Sequence, residues 1–591
     1  MIQLRIKKQP ADDAADGGDQ MEQSVINKFR EWKELAVEDP DLVRELDEIG
    51  SDEEAVIERF STDLDFGTAG LRGVLGAGTI RMNLYTVRRA AQAMSNVLLR
   101  KGPCPVVAIA CDSRNKSRLF AETAATVFSS NGIKVYLFDK IAPTPMLSYA
   151  VRYYGCDAGV MITASHNPAE YNGFKAYGPD GCQLDAGAAR EVFEEMQKID
   201  PFRDVLTQPF ELALETGLIS AVAERMKERY FEEVRALCLR PNAIREAKLR
   251  VAFTPLCGAG AVPVTGALSE AGAVLDCVEE QMEPDGDFTT CPYPNPETPQ
   301  ALSLGLARME RNGDDLLIAT DPDADRVGVA IPGPAGARIF TGNEIGVLLL
   351  DYLARGRREA GTLPERPVAV RSVVSTPLFD AVAREYGIEP VIVLTGFKYI
   401  GGVLRRLEEA GETGRFVFGF EESCGYLAGG YVRDKDAVSA SLLIAEMAAY
   451  HKLRGKTLAG ALDEIGRRHG FWLTETESIA FSGPDGMRRM SLLMDRLFAG
   501  RQETLGNEKV VERCDFREGV RWTPDGEAGL DFPKSEIFSL KTSAGSEAII
   551  RPSGTEPKLK AYYRAVSSDP AGAARALEAL KTGVKALLGQ E

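Results

Sequence analysis

Three aspartates alternate with other residues directly after an apolar stretch, a spacing that could hold a metal ion. They are Asp321, Asp323 and Asp325. The run before them, Leu316 to Ala319, predicts a buried strand. If the loop after this strand is extended, the alternating carboxylates lie on one side of it. An EF-hand is excluded, because it needs Gly and Glu where Arg326 and Pro332 stand. The pattern therefore favours Mg²⁺; the alternative, a solvated acidic turn, leaves three carboxylates repelling one another.

A serine occupies the corresponding place after a second apolar run. Ala158 to Ile162 predicts a strand, and Ser165 follows it closely, where open α/β sheets bind ligands. A serine hydroxyl needs activation to act as a nucleophile. Lys175 is the predicted proton carrier and His166 is its competitor, although either could instead hold the loop in shape. On this segment alone, a simple turn is the alternative.

A third segment has the composition of a phosphate-binding loop. Its guanidinium, its two hydroxyls and its glycine come from Arg551, Ser553, Thr555 and Gly554. A structural turn could have the same residues. ATP is not expected as the phosphoryl donor, because Gly455-Lys456-Thr457 lacks the glycine of a Walker A motif five residues upstream, where Tyr450 stands.

Glu421 and Ser423 could hydrogen-bond sugar hydroxyls, because a carboxylate accepts from one or two neighbouring hydroxyl groups. They follow the strand predicted at Phe416 to Phe420. A helix start or a buried salt bridge is the alternative for this pair.

The elements that must position these groups alternate between strand and helix, which predicts an α/β fold with mostly parallel sheets. A helical lead-in comes first, around Ser24 to Asn27 and Pro40 to Ile49, followed by a glycine-rich loop that contains Arg72. Three βα units then each finish on a strand with reactive polar groups at its carboxyl end. The predicted strands are Pro105–Cys111, Lys134–Phe138, Ala158–Ile162, Leu249–Phe253, Val274–Val278, Leu316–Ala319, Val368–Val373, Val391–Leu394 and Phe416–Phe420. A final segment of short strands and two helices predicts a small α+β domain.

The bulk composition limits the class of protein. The 591 residues exceed what one core supports, and 44% hydrophobic and 27% charged residues are ordinary for a globular protein. A net charge of -17 argues against nucleic-acid or anionic-membrane partners and favours a small substrate. Ten scattered cysteines without a CxxC pair predict reduced thiols and no zinc site. No secretory leader or membrane span is recognisable, so we expect a cytoplasmic protein.

The motifs together resemble the α-D-phosphohexomutase superfamily. Ala164 to Pro168 is similar to its phosphoserine loop, Asp321 to Arg326 to its metal loop, Glu421 to Ser423 to its sugar-binding loop, and Arg551 to Thr555 to its phosphate-binding loop. All four occur in the family's order. The phrases Thr395-Gly396-Phe397-Lys398 and Val432-Arg433-Asp434-Lys435-Asp436 look most like the phosphoglucomutase branch related to phosphopentomutases.

The resemblance implies three similar α/β domains with mixed or parallel sheets and a C-terminal α+β domain around a central cleft. The predicted divisions are a flexible extension at 1–21, a phosphoserine domain at 22–211, a metal-binding domain at 212–333, a sugar-binding domain at 334–460 and a phosphate-binding domain at 461–591.

The implied activity is interconversion of glucose 1-phosphate and glucose 6-phosphate through phosphorylated Ser165, Mg²⁺ and a sugar 1,6-bisphosphate that is both intermediate and activator. Arg72, Arg326 and Lys398 would line the cleft, with Ser165 also a metal ligand and Thr395 and Gly396 contacting substrate. Where relatives have Thr-Pro-Leu-His-Gly, this chain has Cys257, so no histidine role is carried over there.

Other activities remain open at this point. They are a phosphopentomutase, a phosphomannomutase, a sugar-bisphosphate synthase and a non-catalytic sugar-phosphate-binding protein. The oligomeric state is undetermined, because no exposed heptad or symmetric patch can be recognised in the sequence.

Overall fold

The computed structural model describes residues 13–67, 70–481, 485–552 and 558–589, with side chains from residue 23 onwards. Four β-sheets follow one another along the chain, and helices cover them. Within the described residues, no helix combines the length and apolar character that a membrane span needs. All ten cysteines are free thiols.

Three helices precede the first sheet: α1 (Asp13–Leu35), α2 (Pro40–Ile49) and α3 (Glu53–Phe60). Asp39 and Asp52 cap the second and third, because their carboxylates accept the backbone N–H of Asp41 and of Ala55, both at 3.1 Å. The first helix begins at Asp13, inside the extension predicted as flexible; residues 1–12 lie outside the described part of the chain.

The first α/β unit has a six-stranded mixed sheet. Its elements are β1 (Leu71–Val74), α4 (Leu84–Lys101), β2 (Val106–Cys111), α5 (Ser117–Ser130), β3 (Lys134–Leu137), α6 (Thr144–Tyr154), β4 (Ala158–Ile162), β5 (Tyr171–Tyr177), α7 (Ala186–Met196), α8 (Phe210–Glu215) and β6 (Ile219–Ala221). The strand order is β1-β5-β4-β2-β3-β6. Strands β2, β3, β4 and β6 are parallel, whereas β5 runs antiparallel to both β4 and β1.

The second unit repeats the plan with five strands in the order β11-β10-β9-β7-β8. Its elements are α9 (Glu224–Ala236), α10 (Ala243–Glu246), β7 (Arg250–Thr254), α11 (Ala261–Ala271), β8 (Val274–Cys277), α12 (Pro299–Asn312), β9 (Leu316–Thr320), β10 (Val327–Ile331) and β11 (Arg338–Phe340). Strands β9 and β10 form an antiparallel hairpin, and its connection contains the three aspartates.

The third unit has four strands in the order β13-β12-β14-β15. Its elements are α13 (Gly342–Glu359), β12 (Val368–Ser372), α14 (Leu378–Glu385), β13 (Glu389–Val393), α15 (Phe397–Glu409), β14 (Phe416–Glu421), β15 (Gly425–Leu427), α16 (Ala437–Lys452) and α17 (Leu458–His469). Fourteen of the sixteen residues of α16 are buried, as expected of a helix that is apolar on all sides. It packs against α10 and α11 of the second unit as well as against α13.

The fourth unit is an antiparallel sheet with its own core. Its elements are β16 (Phe471–Ala480), α18 (Gly486–Ala499), β17 (Thr504–Leu505), β18 (Glu508–Asp515), β19 (Val520–Thr523), β20 (Gly526–Gly529), β21 (Phe538–Thr542), β22 (Glu547–Pro552), β23 (Lys558–Ser567) and α19 (Pro570–Leu588). The main strand order is β16-β23-β22-β21-β18-β19-β20.

The predicted α/β class with three repeated units and a sheet-rich C-terminal domain is confirmed. The sequence did not predict the antiparallel strands β5, β10 and β15, which turn the sheets from mostly parallel to mixed. Three predicted boundaries fall inside helices: 21/22 in α1, 211/212 in α8 and 460/461 in α17. The fourth, at 333/334, separates β11 from the rest of the second sheet.

Candidate active site

Ser165 follows strand β4 in a tight loop whose polar groups are satisfied internally. Its backbone is left-handed, with a φ of 53°, and the residue is only 3% exposed. Its N–H donates to Thr163 Oγ1 at 2.8 Å, and the Thr163 hydroxyl donates to Asp112 at 2.5 Å. The hydroxyl of Ser165 is thereby fixed at the carboxyl edge of the sheet.

Arg114 holds the same loop from the neighbouring strand end, after β2. Its buried guanidinium donates to the carbonyl oxygens of Ser165 at 2.6 Å, Pro168 at 2.8 Å and Tyr171 at 3.1 Å, and also to that of Asn167. Because one rigid fork holds four carbonyl groups, the loop has little freedom to rearrange.

The aspartate loop meets the serine loop directly. Ser165 Oγ donates to Asp321 Oδ2 at 3.0 Å, although the two residues are 156 positions apart. The other oxygen of Asp321 accepts the backbone N–H groups of Asp325 at 3.0 Å and Arg326 at 2.9 Å, which curls the loop back on itself. The predicted proximity of serine and carboxylates is therefore present in the structure.

The three aspartates have the donor set of a hard-cation site. One ligand oxygen from each lies within 4.8 Å of the others, and all three side chains are buried. Among the described residues, Oδ1 of Asp323 and Oδ1 of Asp325 have no hydrogen-bond partner. Burial, followed by the charges of Asp325 and Asp323, raises the pKa of Asp321 well above its usual range. A bound cation would satisfy both orphaned oxygens and offset this repulsion, so the residues fit a metal ion.

Two lysines face the aspartates. Lys175, on the unpredicted strand β5, places Nζ 2.6 Å from Asp323 and 3.4 Å from Asp325, and Lys435 places Nζ 3.1 Å from Asp325. Burial lowers the pKa of Lys175, but the charges of Asp323 and Asp325 outweigh it and raise the pKa. Lys175 is therefore held in its charged form, as a hydrogen-bond donor.

His166 is the nitrogen base beside the serine. Its Nδ1 lies 3.2 Å from Ser165 Oγ. Burial, with the positive charges of Arg326 and Arg72, lowers the pKa of His166 well below its usual range. The imidazole is thus neutral at pH 7, and its tautomer decides whether Nδ1 donates or accepts the hydrogen bond with the serine hydroxyl.

A cleft of about 680 Å³ opens beside these loops. Eight of the predicted site residues line it: His166, Arg326, Thr395, Gly396, Lys398, Glu421, Ser423 and Arg551. They come from all four units of the chain, so the predicted central cleft is present. Ser553, Gly554 and Thr555, the rest of the predicted phosphate loop, lie outside the described residues.

The predicted sugar-binding residues are only partly engaged by other protein groups. Glu421 Oε1 accepts the N–H of Gly396 at 2.6 Å, and Thr395 Oγ1 is buried without a hydrogen-bond partner in the described structure. Burial raises the pKa of Glu421 to about 7. This end of the cleft therefore retains hydrogen-bonding capacity for a ligand.

The two predicted cleft arginines have different roles in the structure. Arg72 donates to Asn167 Oδ1 at 3.1 Å and so touches the serine loop. Arg326 pairs with Glu297 at 2.6 Å, and the charges of Glu297, Asp325 and Asp321 outweigh burial and raise its pKa.

Among the residues of the site that were not predicted are Arg114, Lys435 and Glu297. Arg114 could have been found, because Asp112-Ser113-Arg114 follows a strand as the other loops do. Lys435 lies in a phrase noted for its resemblance, without an assigned role. No sequence pattern indicates Glu297, because its pairing with Arg326 can be seen only in the folded structure.

Comparison with known proteins places these features in a family. Residues 63–203, 228–333 and 341–467 match the models described as "Phosphoglucomutase/phosphomannomutase, alpha/beta/alpha domain" I, II and III. The chain is 37% identical over 513 residues to a phosphoglucomutase of Staphylococcus haemolyticus (strain JCSC1435), covering 85% of this chain and 90% of that protein. It is 35% identical over 511 residues to a phosphoglucomutase of Staphylococcus aureus (strain USA300), with the same coverage.

Solved structures share the architecture. A putative phosphomannomutase from Thermus thermophilus superimposes with a TM-score of 0.65 at 25% identity, over 89% of this chain and 99% of that one. The open form of pp63/parafusin, a phosphoglucomutase from Paramecium, gives a TM-score of 0.67 at 18% identity, over 89% and 96%, which shows the fold alone.

Proposed function

The chain belongs to the phosphoglucomutase/phosphomannomutase family, and from this premise we propose that it is a phosphoglucomutase, an enzyme that interconverts glucose 1-phosphate and glucose 6-phosphate. One observation carries the proposal: Ser165 Oγ hydrogen-bonds Asp321 beside a cleft lined by groups from all four units. Relatives at 35–37% identity over most of the chain are phosphoglucomutases.

Asp321, Asp323 and Asp325, with an oxygen of Ser165 or of its phosphate, would hold Mg²⁺. Bound there, Mg²⁺ supplies Lewis-acid stabilisation of charge on phosphoryl oxygens. Lys175 and Lys435 neutralise part of the aspartates' charge, which limits mutual repulsion.

Ser165 carries the phosphoryl group in the resting enzyme. Its P–O bond breaks as a bond forms to a free hydroxyl of the sugar monophosphate, and the proton of that hydroxyl ends on Ser165 Oγ. The product is a sugar 1,6-bisphosphate. The bisphosphate then reorients in the cleft, so that its other phosphoryl group faces Ser165. That group passes to Ser165 Oγ, and the serine proton passes to the sugar oxygen that has lost the phosphoryl group.

His166 is placed to relay the serine proton, because its neutral Nδ1 lies 3.2 Å from Oγ. Lys175 stays charged between Asp323 and Asp325, where it faces the moving phosphoryl group as a cation and hydrogen-bond donor. Arg72 and Arg326 add positive charge near the same loops.

The remainder of the cleft holds the substrate. Glu421 and Ser423 accept hydrogen bonds from sugar hydroxyl groups, with Thr395 and Gly396 beside them. Lys398, Arg551 and the loop containing Ser553, Gly554 and Thr555 hold the phosphate that is not reacting. A cytoplasmic location stays a prediction, as do a small-molecule sugar phosphate as partner and the absence of nucleic-acid and membrane binding.

The test is a steady-state comparison of glucose, mannose and ribose 1-phosphates with Mg²⁺, each with and without glucose 1,6-bisphosphate. We expect the glucose substrate to give the highest kcat/KM and the bisphosphate to stimulate turnover. A higher kcat/KM for mannose 1-phosphate would assign phosphomannomutase, which the family description also names. Accumulation of bisphosphate from a second donor would assign a synthase. Binding without isomer exchange would contradict any mutase.

A further inference from the structure

The helices before the first family domain share a hydrophobic core with the start of that domain. Helices α1 to α3 end at Phe60, and the match to domain I begins at residue 63. Their core contains Trp32 and Phe60, and it continues into Ala77 and Tyr85 of the first α/β unit. The helices therefore pack against the turn that follows β1, at 76–79.

Helix α2 grips this turn through Glu45. One oxygen of Glu45 accepts the N–H of Ala77 at 2.7 Å, and the other pairs with Arg59 of α3. Gly76 and Gly78 flank Ala77 with φ angles of 143° and 127°, which favour glycine. A Cβ at Gly76 would lie 2.8 Å from Glu45 Oε1, so the turn is pressed against the carboxylate.

The same turn adjoins the serine loop. Leu75 donates its N–H to the carbonyl of Glu170 at 2.7 Å. Strand β1, immediately before it, pairs with β5 and carries Arg72, whose guanidinium reaches Asn167. A displacement of the turn would therefore move Leu75 and Arg72, two residues that contact the segment around Ser165.

A second contact from α2 reaches the other side of the serine loop. Lys116 Nζ lies 3.2 Å from Asp39 and 2.5 Å from Asp41, at the start of the helix. Lys116 has a φ of 63°, a backbone conformation that needs support in a non-glycine residue. Two residues before it stands Arg114, which holds the carbonyl groups of the serine loop.

We propose that helix α2 is a positioning element for Ser165, with Glu45, Asp39 and Asp41 as positioning residues that act through the 76–79 turn and through the Lys116 loop. The inference rests on the proposed function for its kinetic consequence only. Phosphoryl transfer depends on alignment, and a misplacement of about 1 Å can reduce a rate on the order of a hundredfold.

The kinetic test compares Glu45→Ala with Glu45→Gln, whose amide oxygen can still accept from Ala77. We expect Glu45→Ala to lower kcat roughly tenfold with KM within about twofold, and Glu45→Gln to recover most of the loss. The double variant Asp39→Asn, Asp41→Asn keeps an oxygen for the helix cap and removes the charges facing Lys116. We expect its kcat to fall about threefold. The matched control is Glu48→Ala, on the exposed face of α2 and without an ion pair in the described structure.

Hydrogen exchange gives a readout that does not need activity. In Glu45→Ala, the amides of 163–171 should exchange at least about fivefold faster, while those of β9 stay as in wild type. Wild-type kcat and exchange in Glu45→Ala would overturn the inference, as would acceleration of all segments together. Absence of mutase activity in wild type would contradict the proposed function, and the exchange data would still decide the inference.

Discussion

The two ends of the cleft are built differently. At the reacting end, Ser165 is nearly inaccessible, its loop is held by Arg114, and it hydrogen-bonds an aspartate from another unit. At the binding end, Thr395 Oγ1 has no partner in the described structure, and Glu421 receives one backbone N–H. The first end is fixed by the protein, whereas the second leaves polar groups for a ligand.

This difference suits a mutase. The reacting end must align one phosphoryl group with one hydroxyl each time, which favours preorganised groups. The binding end must hold a sugar in two orientations, with its phosphate at either carbon, which favours groups that are not already committed. The following four predictions test this division, beginning with the largest expected effect.

Replacing the nucleophile should abolish turnover. For Ser165→Ala, we expect kcat to fall by at least about 10⁴-fold while sugar phosphate binding changes little, because only the reacting end is altered. Steady-state kinetics and calorimetric binding measure the two quantities. Intact-protein mass should show one phosphoryl group on wild type that phosphatase removes and that the variant lacks. Near-normal mutase activity of the variant would contradict the phosphoserine mechanism.

Weakening the metal site should give the next largest loss. In Asp323→Asn, one ligand charge and the nearest partner of Lys175 are lost, and kcat should fall on the order of 10³-fold. Mg²⁺ titration of activity should show weakened metal affinity, whereas Glu310→Gln on the exposed side of α12 should behave as wild type. Wild-type activity that survives exhaustive chelation would argue against the metal site.

Glu421 should destabilise the free protein at high pH. Its pKa is raised from 4.5 to about 7. The contribution of its protonated carboxyl group to the free energy of unfolding is therefore fully present below about pH 4.5 and is lost as the pH rises through 7. The shift corresponds to about 3 kcal/mol at pH 8. Glu421→Gln without metal or substrate should therefore melt a few degrees above wild type at pH 8 and together with it near pH 4.5. Equal melting at pH 8 would show that the carboxylate is not strained by burial.

Removing the phosphate-binding guanidinium should mainly weaken binding. For Arg551→Ala, we expect KM to rise about 10- to 100-fold with kcat within about threefold, since a charge-assisted hydrogen bond contributes about 1.5–3 kcal/mol. Arg575→Ala, an exposed arginine on α19, is the matched control. A fall in kcat with unchanged KM would assign Arg551 to the reacting end and would contradict the separation of a reacting end from a binding end.

Strand ends accounted for most of what the sequence could predict. Ser165, Asp321 and Glu421 each follow or end an apolar strand, and parallel strands bring such residues to one edge. The helix predicted around Pro40 to Ile49 has these bounds in the structure, where Asp39 caps its start.

The rest depends on contacts between distant segments. Strand β5 was missed because Asn172 and Gly173 interrupt its apolar pattern, yet Asn172 is buried and bonded to Ser117. Lys175 was predicted as a proton carrier from its distance to Ser165 along the chain. Its pairing with Asp323 depends on how β5 lies against the aspartate hairpin, which no local pattern specifies.

Helix α16 also determines the order in which the protein can be completed during synthesis. It covers α10 and α11, yet it is encoded more than 160 residues after them, beyond the whole third sheet. A growing chain that ends at the second unit leaves an apolar face uncovered. The second unit therefore reaches its final packing only after Lys452 has left the ribosome, and until then its exposed face is a surface for chaperones or for aggregation.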